Sequence, residues 1–262
     1  MKIKPNKGDR WSRDEMIVVL NLYFKLPYGK LDHRTLEVKE LARLMGRTDN
    51  SVAMRLNNFA SCDPKLIERG IKALGDQKKR CQPLWDEFYN DQEKLIYESE
   101  RILAEYQDTD IETKYKTLLD DIPINIKGET RLRIVKTRVN QHFFRDMVLI
   151  NYGGKCALTG IDINQLLVAS HIIPWASNET ERMNPENGIC LSSLYDKAFD
   201  KGLISFTNDG KVIFSDKLKE NVGKHYYNYY FSQIEGQYLS KPNKYNPNPL
   251  FLEWHRDVVF CK

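Results

Sequence analysis

The chain has 262 residues, of which 41% are hydrophobic and 29% are charged, and its net charge is +4. This length suits one large or two smaller globular domains, and the composition excludes collagen-like, rod-like and largely disordered proteins. No apolar run approaches the ~18–20 residues that a membrane helix needs, so we expect no membrane contact. The five cysteines lack CxxC spacing, which favours a reducing cytoplasm over a disulfide framework.

The charges are distributed unevenly along the chain. Residues 1–80 have a net charge of +8, residues 81–121 of −8 and residues 122–262 of +4. This pattern predicts three domains with these boundaries. In the acidic middle region, apolar residues recur at helical spacing, which predicts one long connecting helix without a chemical role.

The N-terminal region is predicted to be helical. Ser12 and Glu15 form a capping box that starts a first helix. A second helix is expected over 35–45, and Gly46 lies in the turn before a third helix that begins near Asp49. The apolar spacing of the third helix predicts an inner face formed by Val52, Leu56 and Phe59.

The spacing of Ala42, Gly46 and Val52 resembles that of helix-turn-helix DNA-binding domains. The resemblance implies that residues 1–80 form a DNA-recognition module whose last helix contacts base edges in the major groove. A plain three-helix bundle with a polar surface is the alternative interpretation. If the module binds DNA, the expected contacts come from Asn50, Ser51, Arg55 and Asn58.

The C-terminal region carries the residues that point most directly to chemistry. A helix ending near Tyr152 is followed by a predicted strand that ends at His171, a second strand, a short helix over 193–200 and a hairpin. Asp196 and Asp200 are four residues apart, so both project from one helix face and can share a cation. Oxygen ligands favour Mg²⁺ or Mn²⁺ over zinc.

The stretch from Gln141 to Phe206 resembles the HNH endonuclease family, in particular its restriction-type branch. The resemblance rests on the segments SHIIPW, NPENGICL and DKAFDKGLISF, in that order. It implies a ββα-metal HNH nuclease domain at residues 122–262. Together the two resemblances predict an α+β protein in which a helix-turn-helix-like N-terminal module precedes that domain.

The resemblance also implies roles for individual residues. His171 matches the general base that takes a proton from the attacking water, and Asn187 matches the middle asparagine of the catalytic set, which orients that histidine. Asp196 and Asp200 fall where members place metal ligands. Ser170 falls where many members carry a metal-binding Asp or His, although a serine hydroxyl is a weaker ligand.

Many HNH relatives also hold a structural zinc with two CxxC pairs. Here only Cys156 and Cys190 are retained, with Thr159 and Ser193 in place of their partners. Two thiols do not complete a tetrahedral zinc site, so we expect no structural zinc.

These residues predict an endonuclease that uses Mg²⁺ or Mn²⁺ to hydrolyse phosphodiester bonds in double-stranded DNA. Arg138 and Arg145 are expected either to bind DNA phosphates or to be surface charges. The resemblance implies a bacterial restriction or modification-dependent host-defence enzyme, and a homodimer would supply two active sites for two strand cuts. The alternatives are a DNA-binding regulator with an inactive nuclease fold, since Ser170 weakens the metal site, and a repair or mobile-element nuclease.

Overall fold

The computed structural model describes residues 9–68, 70, 77–123 and 125–261. The chain divides into two compact units, residues 1–143 and 144–262. This division falls within one long helix, whereas the sequence predicts boundaries at 80 and 121. The predicted recognition module includes residues 1–8, 69 and 71–76, which lie outside the described residues. The assignment of a role to each predicted domain stays a prediction.

The first unit consists of helices joined by turns. In chain order its helices are α1 (Arg13–Lys25), α2 (Leu36–Met45), α3 (Asp49–Ala60), α4 (Pro64–Ile67), α5 (Gln77–Phe88), α6 (Gln92–Tyr106), α7 (Ile111–Lys114), α8 (Lys116–Leu119) and the beginning of α9 (Gly128–Asn151). The predicted capping box at α1 is confirmed, because the Ser12 hydroxyl accepts from the Glu15 amide and the Glu15 carboxylate accepts from the Ser12 amide. Among the described helices, none is both long enough and apolar enough to cross a membrane.

The core of this unit forms where α1 packs against α3 and α6. The predicted inner face of α3 is confirmed, since its three apolar residues are fully buried. Phe88 and Leu95 from the predicted connector lie in the same core. The prediction of one long helix there is wrong, because α5 ends at Phe88 and the Asp91 carboxylate starts α6 by accepting from the Lys94 amide at 3.1 Å.

The second unit is a mixture of helices and two small antiparallel sheets, which agrees with the predicted α+β class. After the end of α9, its elements are β1 (Leu167–His171), β2 (Gly188–Ser192), α10 (Ser193–Asp200), β3 (Ile204–Phe206), β4 (Val212–Phe214), α11 (Asp216–Lys219), α12 (His225–Tyr230) and α13 (Pro249–Val258). β1 pairs with β2, and β3 pairs with β4. The predicted order of strand, loop, strand, helix and hairpin is therefore confirmed.

Helix α13 packs on α10 and β3 through His255. This side chain is 2% exposed, and its ring stacks on Phe199 of α10 at a centroid distance of 3.7 Å. Its Nε2 lies 3.1 Å from the Phe199 carbonyl oxygen, and its Nδ1 lies 2.9 Å from the Ser205 hydroxyl of β3. His255 thus ties the end of α10 to β3.

The burial of His255 predicts a loss of stability in mild acid. Burial lowers the pKa of this histidine from 6.5 to about 4, although the bond to the Phe199 carbonyl opposes that shift. Between these two pH values the unfolded chain binds a proton that the folded chain does not, so the free energy of unfolding falls as the pH falls, by up to about 1.4 kcal/mol per pH unit. Urea unfolding at several pH values should show a shallower decline for His255→Gln. A decline as steep as that of the wild type, or an equal effect of His33→Gln at an exposed site, would contradict this account.

Candidate functional site

The ring of His171 is held at the end of β1 by aromatic contacts. It stacks on Phe144 of α9 at a centroid distance of 3.9 Å and meets the edge of Trp175 at 5.5 Å. Across the sheet, His171 pairs with Gly188 of β2. A side chain at position 188 would collide with Val148 and approach the Phe144 ring to 2.9 Å. The glycine therefore lets Phe144 lie flat beneath the histidine.

One hydrogen bond decides which nitrogen of His171 can act as a base. Nε2 lies 3.0 Å from the carbonyl oxygen of Arg182. A carbonyl oxygen only accepts, so Nε2 carries the proton and the lone pair of the neutral ring is on Nδ1. Burial lowers the pKa of His171, and the bond to Arg182 only partly opposes this. At neutral pH the ring is therefore uncharged and able to accept a proton.

Asn187 shapes the loop that follows His171. Its side chain is fully buried, and its Oδ1 accepts from the Ile173 amide at 2.8 Å. Its Nδ2 donates to the carbonyl oxygens of Ile173 at 3.1 Å and Glu181 at 3.2 Å. These bonds fix Ile173, near the start of the loop, and Glu181, the residue directly before Arg182. Asn187 thus positions the Arg182 carbonyl that accepts from His171, and its own buried side chain does not face solvent.

Asp196 and Asp200 lie one turn apart on α10. Burial raises the pKa of both carboxyl groups, and the charge of Asp200 raises that of Asp196 further. The hydroxyl of Ser170 is close enough to Asp196 to oppose this shift. The buried Ser170 Oγ nevertheless has no hydrogen-bond partner among the described residues. The half-buried carboxylate of Asp196 therefore lies between the charge of the exposed Asp200 and the unsatisfied hydroxyl of Ser170.

These three oxygen-bearing side chains fit a divalent cation. A positive ion there would relieve the repulsion between the carboxylates and would satisfy the Ser170 hydroxyl. The donor set contains only oxygen, which suits Mg²⁺ or Mn²⁺. Within the described part of the chain, however, no group of three or more His, Cys, Asp or Glu side chains is assembled as a metal centre. The candidate site thus offers fewer charged ligands than a metal site in which protein side chains fill every coordination position.

The two cysteines retained from the zinc-binding pattern are buried and free. The Cys156 sulfur accepts from the Ser192 amide at 3.2 Å. Burial raises the pKa of Cys190 to about 12, and the neighbouring Cys156 adds to this shift. The Cys190 thiol is thus suited to packing in its neutral form. The absence of structural zinc stays a prediction.

The two arginines expected to bind phosphate have partners within the chain. Arg138 pairs with Asp121 at 2.7 Å and donates to the Leu118 carbonyl at 3.0 Å. Arg145 donates to the carbonyl oxygens of Leu167 at 2.6 Å and Asn164 at 2.9 Å. Arg145 therefore anchors the segment that enters β1, a role that sequence spacing did not reveal. Phosphate contacts by either side chain stay a prediction.

A residue that the sequence analysis missed lies beside the histidine. Arg182 supplies the carbonyl that accepts from His171, and its guanidinium lies 5.1 Å from the ring centroid of Trp175. Trp175 in turn contacts the histidine. Arg182 lies eleven positions after His171 in the chain, so only the folded loop brings them together.

The residues expected to read DNA do not share one exposed face of α3. Asn50 is exposed and Ser51 is half-buried, but Asn58 is only 5% exposed. Placing Asn58 on the outer face is therefore wrong. Arg55 is half-buried, with its guanidinium 5.0 Å from the Trp11 ring centroid and beside Cys81 of α5. The physical reason is that α5 packs on α3 and covers this side of the helix.

This placement changes the effect expected from Arg55→Ala. The variant should lower the free energy of unfolding by roughly 1 kcal/mol, because it removes the cation–π contact with Trp11. Asn50→Ala, at an exposed position of the same helix, should leave stability nearly unchanged. Thermal unfolding of both variants tests this. A destabilisation no larger than that of Asn50→Ala, together with a sequence-selective loss of DNA affinity, would restore the original interpretation of Arg55.

Comparison with known protein families gives a match in the second unit. Residues 156–207 match the family HNH_2, described as HNH endonuclease. No curated protein matches the chain. The matched segment contains β1, β2, α10 and β3, and with them His171, Asn187 and both aspartates. These residues of the second unit are thus similar to an HNH endonuclease domain, which supports a nuclease of the HNH family.

Proposed function

We propose that the chain is a metal-dependent endonuclease that hydrolyses phosphodiester bonds in double-stranded DNA. The observation that carries the proposal is the state of His171. Its Nε2 proton is committed to the Arg182 carbonyl, its ring is neutral, and its Nδ1 lone pair remains for a proton. This base lies in the segment that is similar to HNH endonucleases.

The proposed reaction is a hydrolysis in one displacement step. Nδ1 of His171 takes a proton from a water molecule as the water oxygen attacks phosphorus, and the bond from phosphorus to the leaving sugar oxygen breaks. Phe144 and the Arg182 carbonyl keep the ring in place, and Asn187 holds the loop that presents that carbonyl.

Asp196 and Asp200 are the proposed ligands for Mg²⁺ or Mn²⁺, with Ser170 as a weaker third. When bound, such a cation would stabilise the negative charge that develops on the phosphate and the leaving oxygen. The unsatisfied hydroxyl of Ser170 supports its inclusion.

We further propose a cytoplasmic restriction or modification-dependent defence enzyme that acts as a homodimer. The test is digestion of genomic DNAs that differ in base modification, with the fragment ends sequenced. A discrete set of ends that depends on modification supports this role. Cleavage at branched or damaged DNA alone would instead indicate a repair or mobile-element nuclease.

A DNA-binding regulator with an inactive nuclease fold is the second candidate. It is favoured by the lack of three clustered His, Cys, Asp or Glu side chains within the described residues. The regulator would bind DNA equally well with Mg²⁺ or EDTA and would leave supercoiled plasmid intact.

A further inference from the structure

The first unit contains a cavity of about 320 Å³ that the proposed nuclease chemistry does not use. Its lining comes from α1, α2, α6 and one residue of α9, all within residues 1–143. Six of the lining side chains are apolar and form its walls: Val18, Leu22, Leu41, Leu44, Leu103 and Phe143. Ligand pockets in proteins typically enclose ~300–1,000 Å³ and combine apolar walls with a few polar groups. The cavity therefore has the size and the lining of a small-molecule site.

An asparagine in this lining has an acceptor that is not used. Asn21 of α1 is 4% exposed, and its Nδ2 donates to the hydroxyl of Ser99 in α6 at 3.0 Å. Its Oδ1 is buried and has no hydrogen-bond partner among the residues that the structure describes. An unpaired buried acceptor is costly, and a donor that enters the cavity would remove this cost. Asn21 therefore indicates a ligand that donates a hydrogen bond.

Glu100 also lines the cavity and follows Ser99 in α6. Its side chain accepts from the Lys114 ammonium and from the Tyr115 hydroxyl, each at 2.6 Å. Both bonds use Oε2, which leaves Oε1 as a second acceptor. The charge of Lys114 balances that of the carboxylate. The buried part of the lining thus offers acceptors without an excess of negative charge.

The more exposed lining residues carry charges of both signs. Glu37 and Lys25 are half-buried, and Glu40 and Arg43 are exposed. The Lys25 ammonium lies 5.4 Å from the ring centroid of Phe143. Because two acidic and two basic groups line this part, attraction of a charged ligand to one sign is offset by repulsion from the other. The balance of charge therefore favours an uncharged ligand.

We propose that this cavity binds an uncharged, apolar small molecule that carries an N–H or O–H group. The apolar walls remove the body of the ligand from water, and its donor bonds to Oδ1 of Asn21. The inference goes beyond the proposed nuclease function and does not depend on it, since the cavity is lined by none of the residues of the candidate nuclease site.

The test uses two uncharged probes of the same shape. Indole has an N–H donor, whereas benzofuran has in its place an oxygen that can only accept. Each is titrated into the full chain up to about 1 mM, and binding is followed by the chemical shifts of the protein amides. The wild type should bind indole at least about tenfold more tightly, because benzofuran leaves Oδ1 of Asn21 unpaired. Asn21→Leu removes this acceptor, so its affinities for the two probes should agree within about twofold.

Two further variants serve as controls. Asn140 is 1% exposed, and its side chain has no hydrogen-bond partner within the described part of the chain, but it does not line this cavity. Asn140→Leu is therefore the matched control and should keep the preference for indole. Leu103→Trp places a larger side chain in the cavity wall and should prevent saturable binding of both probes. Thermal unfolding shows whether each variant is folded, and the pair Asn21→Leu and Asn140→Leu decides the question if Leu103→Trp does not fold.

Three results would overturn the proposal. The first is the lack of saturable binding of indole to the wild type. The second is an affinity for benzofuran that equals or exceeds the affinity for indole. The third is a folded Asn21→Leu protein that keeps the preference of the wild type.

Discussion

His171→Ala is expected to lower the rate of DNA cleavage by ~10²–10⁴-fold, as for the loss of a general base. The reason is that the lone pair on Nδ1 is removed, while the carboxylates of α10 remain. DNA affinity in EDTA should stay close to that of the wild type. Single-turnover cleavage of a labelled duplex at saturating enzyme separates the chemical step from binding.

Two controls accompany this variant, because the His171 ring also packs on Phe144. Thermal unfolding shows whether the variant is folded at the assay temperature. His33→Ala removes an exposed histidine of the first unit and should cleave at the wild-type rate. A folded His171→Ala protein that also cleaves at the wild-type rate would remove His171 from the chemistry.

The second large effect is expected at Asp196. Loss of a group that hydrogen-bonds to a metal ligand typically lowers metal affinity 10–100-fold. Loss of the ligand itself should therefore lower the affinity at least about tenfold. We therefore expect Asp196→Asn to weaken Mn²⁺ binding by that factor or more, measured by isothermal titration calorimetry. Asp200→Asn should have a smaller effect if Asp200 is the more distant ligand. Asp162→Asn, at an exposed carboxylate of the same unit, should bind Mn²⁺ like the wild type.

The same variant should stabilise the protein when no metal is present. Asp196 is partly buried beside a second carboxylate, and both features disfavour its charged form in the folded state. An amide of the same shape removes that repulsion, so the metal-free melting temperature should rise. A lower melting temperature, combined with unchanged Mn²⁺ affinity, would place the cation elsewhere.

Local sequence signals predicted the elements of the candidate site well. The helix over 193–200 was predicted with its observed limits. The apolar residues that indicate this helix and the strand residues that flank it are close together in the chain. The strand before His171 and the hairpin after α10 were predicted for the same reason. The match to HNH endonucleases covers these same elements.

Features that depend on distant packing could not be predicted in this way. Asn58 and Arg55 were assigned to an open face of α3, and the structure covers that side with α5, a helix that begins at Gln77. The contact between His171 and the Arg182 carbonyl likewise arises only when a loop returns to β1. Ser170 meets Asp196 only when α10 packs beside that strand. Sequence spacing carries no signal for such contacts.

The central claim is that this chain cuts DNA with His171 as the base and a divalent cation bound by α10. Its most direct test is incubation of supercoiled plasmid with the purified wild-type chain and with folded His171→Ala, each in Mg²⁺, Mn²⁺ and EDTA. The account predicts nicked and linear DNA only from the wild type and only with a divalent cation. Intact plasmid in every wild-type reaction, or equal cleavage by His171→Ala, would contradict it.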